Sequence, residues 1–171
     1  MLTDQESEKY KAMARTSAAD PVQVAGRFQL ARATAETFSS AGIELQAIGQ
    51  IFGLDRVKGL SPASNGSDEL VAVSLLLRVA GQLVSASVDL FGDGRHYAAA
   101  ALLRQLVEIE YLAWAFEARD SDAERWLRST AEERRDFFTP AKLRKAAQGK
   151  FRSKDYGHHC EMGGHRVPPS F

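Results

Sequence analysis

A helical repeat along residues 24–52 constrains the fold of this chain more than any other feature. Apolar and small residues recur there at alternating intervals of four and three, which is the period of an α-helix and not of a β-strand. Asp20 and Pro21 precede the repeat as an N-cap and a first helical residue. Gly42 and Gly49 lower helix propensity but let a neighbouring backbone approach closely. The sequence therefore predicts a long first helix with small residues turned toward another helix.

Two further long helices follow a loop of turn-forming residues. Ser67 can cap a helix that runs to Gly92, and a third helix extends from about Arg95 to Glu117. The turn "GDG" between them is so short that the two helices must be antiparallel neighbours. The third helix is apolar nearly all round, so we expect other helices to enclose it.

The remaining elements are short and have clear start and stop signals. Two capping boxes, Ser121–Glu124 and Thr130–Glu133, each mark the start of a helix. Thr139-Pro140 marks a further start, and Gly149 marks the end of that helix. A last helix is predicted from Ser153 to Gly163-Gly164. No strand alternation is present. The predicted fold is all-α, an irregular helical bundle with two or three long core helices plus several short capped helices. We expect one domain over 20–171, truncated at its C-terminus, after a weakly ordered segment 1–19.

Composition restricts the class of protein. The 171 residues carry 22 basic and 22 acidic side chains, so no global charge draws the chain to nucleic acid or to an anionic membrane. A single cysteine excludes an internal disulfide framework. The N-terminus lacks the apolar region of a signal peptide, and charged residues interrupt the longest apolar runs. We therefore expect a cytoplasmic protein that does not enter a membrane.

Three residues stand out on the predicted third helix. Arg104 and Glu108 are four residues apart and share a face, with Tyr111 nearby. One interpretation is a buried structural ion pair that fixes helix packing, since neither charge could be buried alone. The other is that all three residues line a polar binding site.

The end of the chain concentrates chemically active residues. His158, Cys160, Glu161 and His165 are all possible metal ligands, which leaves a metal-dependent hydrolase as one hypothesis. The segment has neither a CxxC nor an HExxH motif, and two glycines interrupt the helical register before His165. We therefore expect no bound metal or other cofactor, and Cys160 is expected to be an inert thiol.

Arg152 and His158 suggest a different chemistry. An arginine can neutralise charge on a phosphodiester, while a histidine can move a proton to or from a ribose hydroxyl. Six basic residues and no acidic one lie between residues 142 and 154. Lys150 and Lys154 could contact phosphates, and Tyr156 could stack on a base. The alternative is an ordinary solvated basic helix face.

The segment "GRHYAAAALLRQLVEIEYLAWAF" resembles the core of an uncharacterised family of bacterial helical proteins, known as a domain of unknown function. In that family a tyrosine and a histidine before a proline follow later, which Tyr156 and His165 match here. A wider similarity is to the HEPN superfamily, helical and often dimeric domains of toxin–antitoxin and phage-defence systems. That resemblance implies catalytic Arg152 and His158, with His159 as an alternative. In HEPN ribonucleases four to six residues separate the arginine from the histidine, and no arginine precedes His165 at that spacing.

The sequence thus leaves three functions open. The first is a nucleic-acid-linked module of toxin or defence type, with RNA as substrate and an antitoxin as partner, acting as a metal-independent ribonuclease. The second is a non-catalytic protein-interaction module. The third is the metal-dependent hydrolase. The small-residue stripe and the apolar third helix also suggest a homodimer.

Overall fold

The computed structural model describes residues 20–51 and 67–151, which form six α-helices and contain no strand. The helices are α1 (Pro21–Ile51), α2 (Asp68–Gly92), α3 (His96–Ala118), α4 (Asp120–Arg128), α5 (Ala131–Phe137) and α6 (Pro140–Ala146). Three long helices and three short ones confirm the predicted all-α bundle. The expectations for 1–19, for the loop after α1 and for the chain beyond residue 151 lie outside the described residues.

Close packing of α1 against α2 depends on two glycines. A Cβ atom on Gly42 would lie 2.6 Å from Arg78 Cγ and 2.9 Å from the Ser74 carbonyl oxygen. A Cβ atom on Gly81 would lie 2.5 Å from Ser39 Oγ. The two helices run antiparallel, and their backbones meet where side chains are absent. The role predicted for Gly42 is confirmed, whereas a Cβ on Gly49 would make only an ordinary contact at 3.5 Å.

The most enclosed helix is α2, not α3 as the sequence suggested. Nine residues of α2 are buried and only four of α3. The physical reason is position, because α2 packs against α1 on one side and against α3 on another. The turn between α2 and α3 is closed by a hydrogen bond from the Arg95 amide to the Leu90 carbonyl at 2.8 Å, with Gly94 at a positive φ of 74°.

The apolar character of α2 has a second consequence. Among the described helices, α2 alone is long and apolar enough to cross a membrane, with a mean hydropathy of 1.7 over its most apolar window. Soluble core helices pass the same test, and 44% of that window is buried inside the bundle. Its apolarity therefore matches its place between two other helices.

The short helices follow their capping signals with one exception. In α5, the Thr130 hydroxyl accepts from the Glu133 amide at 3.2 Å, and the Glu133 carboxylate accepts from the Thr130 amide at 2.8 Å, as the capping box predicted. The N-cap of α4 is instead Arg119, two residues before the predicted Ser121 cap. Arg119 ends α3 and caps α4 at once, and its guanidinium pairs with Asp122 at 2.6 Å. This one-residue connection leaves no room for a serine cap.

The buried core lies between α2, the second half of α3 and the short helices. Its members are Ala72, Leu76, Tyr111, Ala115, Phe116, Ala123, Phe138 and Leu143. The rings of Phe116 and Trp126 meet with centroids 5.7 Å apart, which joins α3 to α4. The short helices thus cover the C-terminal half of α3 and leave its N-terminal half less protected.

Candidate functional site

One face of α3 carries the three residues singled out by the sequence. Arg104, Glu108 and Tyr111 follow one another at intervals of four and three, so they share that face. The Arg104 Nε atom lies 3.3 Å from Glu108 Oε1, and the two side chains are 34% and 33% exposed. The two side chains are therefore partly exposed, although the Arg104 Nε atom itself is buried. Because it lies within one helix, this contact by itself does not join α3 to a neighbour.

Tyr111 differs from the charged pair in being fully enclosed. It is only 2% exposed, and its ring meets that of Phe151 with centroids 4.4 Å apart at 50°. Trp114 meets the same Phe151 ring edge-on, at 5.8 Å and 88°. Offset and edge-to-face pairs of this kind contribute about 0.5–1.5 kcal/mol each beyond area burial. Phe151 therefore fastens the chain to α3 immediately before the segment for which catalysis was predicted.

The turn that delivers Phe151 has an unusual backbone. Gln148 and Gly149 both have positive φ values, 47° and 91°, as is common where a helix ends in the left-handed region. The predicted stop at Gly149 is thus confirmed. An apolar residue soon after such a turn often packs back on the bundle, and this signal could have predicted the contact that Phe151 makes.

A basic surface immediately precedes Phe151, the residue that anchors the chain on α3. Residues 139–151 carry four cationic side chains and no acidic one; they are Lys142, Arg144, Lys145 and Lys150. Lys142 and Lys145 are exposed, and Lys150 Nζ lies 4.0 Å from Glu117 Oε2 with both side chains largely in water. An exposed pair at that distance contributes little, roughly 0–1 kcal/mol. The surface remains positive and accessible.

The other predicted site residues lie beyond the described part of the chain. They are Arg152, Lys154, Tyr156, His158 and His165, together with Cys160 and Glu161 of the metal hypothesis. Within 20–51 and 67–151, no three His, Cys, Asp or Glu side chains come close enough to hold a metal ion. The structure therefore brings together Arg104, Glu108 and Tyr111 on α3, with Phe151 against Tyr111 and Lys150 close to the end of the helix.

A second ion pair, which the sequence analysis missed, joins two helices. Asp68 at the start of α2 pairs with Arg128 at the end of α4, and the Asp68 side chain is only 4% exposed. Sixty residues separate the two partners, so no local spacing could have predicted the contact. This pair links two helices, α2 and α4, whereas the Arg104–Glu108 contact lies within α3.

Comparison with protein-family models, with curated proteins and with solved structures finds no match to this chain. Assignment of a function therefore depends on the residues themselves.

Proposed function

We propose that this protein is a nucleic-acid-linked module that binds single-stranded RNA and cleaves it without a metal ion. Arg152 and His158 are the proposed catalytic pair. The observation that carries the proposal is the basic surface of 139–151, which ends in Phe151 packed on Tyr111 and Trp114. A fixed anchor directly before Arg152 is what a site built on a short C-terminal segment would need.

Binding would depend on charge and on stacking. Lys142, Lys145 and Lys150 present exposed ammonium groups to a phosphate backbone, and such contacts release counterions. Lys154 and Tyr156 would extend this surface along the strand, the first by charge and the second by stacking on a base. His165 belongs to the same proposed surface.

The chemistry needs only a proton carrier and a cation. His158 would accept the proton of a ribose 2′-hydroxyl as its oxygen attacks the adjacent phosphorus. The bond from phosphorus to the 5′-oxygen then breaks, that oxygen takes up a proton from water, and a 2′,3′-cyclic phosphate remains. Arg152 would stabilise the charge that grows on the phosphate oxygens during the transfer.

The partly exposed side chains of Arg104 and Glu108 support a place for RNA beside the anchor. Charged side chains that are about one third exposed can rearrange toward a ligand at a smaller cost than fully enclosed ones. We propose that Arg104 contributes a further phosphate contact, with Glu108 holding its guanidinium in position. The HEPN-like resemblance adds the biological setting of the proposal, a cytoplasmic dimeric toxin or defence module controlled by an antitoxin.

The test is cleavage of a fluorescent single-stranded RNA in the presence of EDTA. We expect the full chain to cut the RNA, His158→Ala to lose at least 100-fold in rate, as removal of a general acid or base typically does, and Arg152→Ala to lose a similar factor. His96→Ala, on the opposite end of α3, is the matched control and should retain full activity. Activity that EDTA abolishes, together with stoichiometric zinc or iron, would favour the metal-dependent hydrolase. No cleavage under any condition would refute the ribonuclease.

One observation favours a second function, a protein-interaction module. Helix α1 packs mainly on α2 and leaves large apolar side chains in water: Val22, Leu30 and Ile43 are 79%, 69% and 60% exposed. Exposed apolar side chains that form a patch mark sites where proteins associate. Static light scattering on the purified chain tests self-association, and co-purification with a genetic neighbour tests the antitoxin. A monodisperse monomer with no partner would exclude this alternative.

A further inference from the structure

A groove separate from the proposed RNA surface opens between α1, α2 and the first half of α3. Its volume is about 430 Å³, within the usual range of small-molecule sites. We call it the α1–α3 groove; it is lined by Val24, Arg27, Phe28, Ala31, Val84, Ser87, Val88, Phe91, His96, Leu103 and Leu106. It lies at the end of α3 that the short helices leave uncovered.

The walls of the α1–α3 groove are almost entirely apolar. Phe28, Leu103 and Leu106 are half-buried, so part of each side chain still faces the open groove. Ser87 is the one hydroxyl in the wall, and it already donates to the Leu83 carbonyl at 2.7 Å. An apolar occupant would remove these surfaces from water, which contributes roughly 25 cal/mol for each Å² covered.

The rim of the groove combines a guanidinium and an imidazole, with no carboxylate among the residues that line it. Arg27 and His96 both line the α1–α3 groove and are exposed, and no acidic residue lines it. The two nearby aspartates already have partners, because Asp89 pairs with Arg32 at 2.8 Å and Asp93 pairs with Arg95 at 2.6 Å. Arg27 has no ion-pair partner among the described residues. The rim therefore offers the Arg27 guanidinium and the His96 imidazole beside an apolar channel.

We infer that the α1–α3 groove binds one molecule of a single-chain fatty acid. The acyl chain would lie between Phe28, Val88 and Leu106, and the carboxylate would meet Arg27 and His96. The guanidinium of arginine matches a carboxylate in both charge and geometry. The His96 ring packs on Phe91, with centroids 5.8 Å apart, so an N–H donor is held at the edge of the apolar wall. A fatty acid is the simplest ligand that satisfies both parts of the groove.

The experiment is isothermal titration calorimetry of the full chain with dodecanoate below its critical micelle concentration. Val24 lines the groove, whereas Val22 on the same helix is 79% exposed and does not. Val24→Trp should therefore fill the groove and weaken binding at least tenfold, and Val22→Trp should bind as the unchanged chain does. Circular dichroism establishes that both variants fold.

The head-group contact has its own test. Arg27→Gln should weaken dodecanoate at least fivefold and leave dodecanol, which has no charge, unchanged. Absence of dodecanoate binding by the unchanged chain would overturn the inference. So would equal affinities of Val24→Trp and Val22→Trp, or an equal loss of both ligands in Arg27→Gln. The proposed RNA surface includes none of the residues that line the groove, so failure here leaves the proposed ribonuclease unaffected.

Discussion

At the scale of single residues, Gly81 sets how closely α1 and α2 can approach. A Cβ there would lie 2.5 Å from Ser39 Oγ and 2.8 Å from the Ala35 carbonyl oxygen, and one of these atoms belongs to the backbone and cannot rotate away. We expect Gly81→Ala to lower the free energy of unfolding by about 1–3 kcal/mol, the usual cost of overpacking. Urea unfolding followed by circular dichroism measures the change.

The matched control for this prediction is Gly26→Ala on the exposed part of α1. A Cβ on Gly26 would meet nothing within 4 Å, so only helix propensity changes. This variant should raise the free energy of unfolding by about 0.5–1 kcal/mol. If the two variants changed stability in the same direction, the close approach of α1 and α2 at Gly81 would be disproved.

The capping box of α5 predicts that the Glu133 carboxylate makes the free energy of unfolding depend on pH. The backbone amide of Thr130, followed by its hydroxyl, holds the pKa of Glu133 below its usual 4.5. A depressed pKa in the folded state means that the contribution of Glu133 to stability is present above pH 4.5 and is lost as the pH falls through the lowered value. Glu133→Gln should therefore flatten the pH dependence of unfolding below pH 4.5.

Glu132→Gln removes the same charge without touching the capping box and is the control. Carbon-13 NMR titration of the glutamate carboxyls provides the direct measurement in the unchanged chain. A Glu133 titration at or above the usual value would contradict the hydrogen bonds that define the box.

The residue scale also separates what local spacing predicts from what it does not. The four-residue interval between Arg104 and Glu108 correctly predicted that they share a face, because helix geometry alone decides this. Their exposure could not be predicted, since it depends on which helix covers that face. The contact of Phe151 with Tyr111 joins residues forty positions apart and has only the glycine turn before it as a local signal.

At the scale of helices, the Asp68–Arg128 pair joins α4 to α2. Asp68 is 4% exposed, and its Oδ1 atom accepts no hydrogen bond from the described residues. Loss of the cation would leave a nearly buried carboxylate without its counter-charge. Because the Arg128 side chain is still 32% exposed, we expect Arg128→Met to cost about 2–3 kcal/mol, below the range for fully enclosed pairs.

Two comparisons make the prediction for Arg128 specific. Adding Asp68→Asn to Arg128→Met should recover part of the lost stability, because the buried charge is removed as well. Arg95→Met breaks the pair with Asp93, in which both side chains are about 60% exposed, and should change stability by less than about 0.5 kcal/mol. Chemical denaturation of the three variants and of the unchanged chain measures all of these values. Equal effects of Arg128→Met and Arg95→Met would show that the α2–α4 pair is not buried in solution.

Helix boundaries could be predicted where a local cap sets them, and less well where packing against other helices sets them. Ser67, Thr130 and Pro140 mark their helices correctly because each signal acts within one turn. The relative burial of α2 and α3 was not predictable, since both are apolar and only the arrangement of the other helices distinguishes them. Helix α4 begins earlier than its capping box predicted for a similar reason, because Arg119 is both the C-cap of α3 and the N-cap of α4.

At the scale of the whole molecule, the two proposed sites lie toward opposite ends of α3. The α1–α3 groove combines residues from 24 to 106 along the chain, so no motif or spacing could have revealed it. The basic surface, in contrast, is one continuous segment and was visible as a run of cations. This difference explains why the sequence analysis predicted a phosphate-binding surface and gave no indication of the groove.

Because the whole chain has no net charge, the salt dependence of RNA binding tests the local basic surface. With a net charge of zero, attraction to RNA must come from the cations around residues 142–154. Four to six phosphate contacts on a single strand would give log K a slope of about −3 to −4 against log salt. Fluorescence anisotropy of a labelled RNA, measured on the full chain across a salt series, determines this slope.

A single substitution then identifies the surface. Lys145→Gln should make the slope shallower by about 0.7, the value for one single-strand phosphate contact. Arg135→Gln on α5 removes one exposed charge elsewhere and should weaken binding without changing the slope, because its effect is only on the overall field. A slope near zero for the unchanged chain, or an equal change in both variants, would mean that segment 142–154 does not contact phosphate, and the proposal of an RNA-binding module would fail with it.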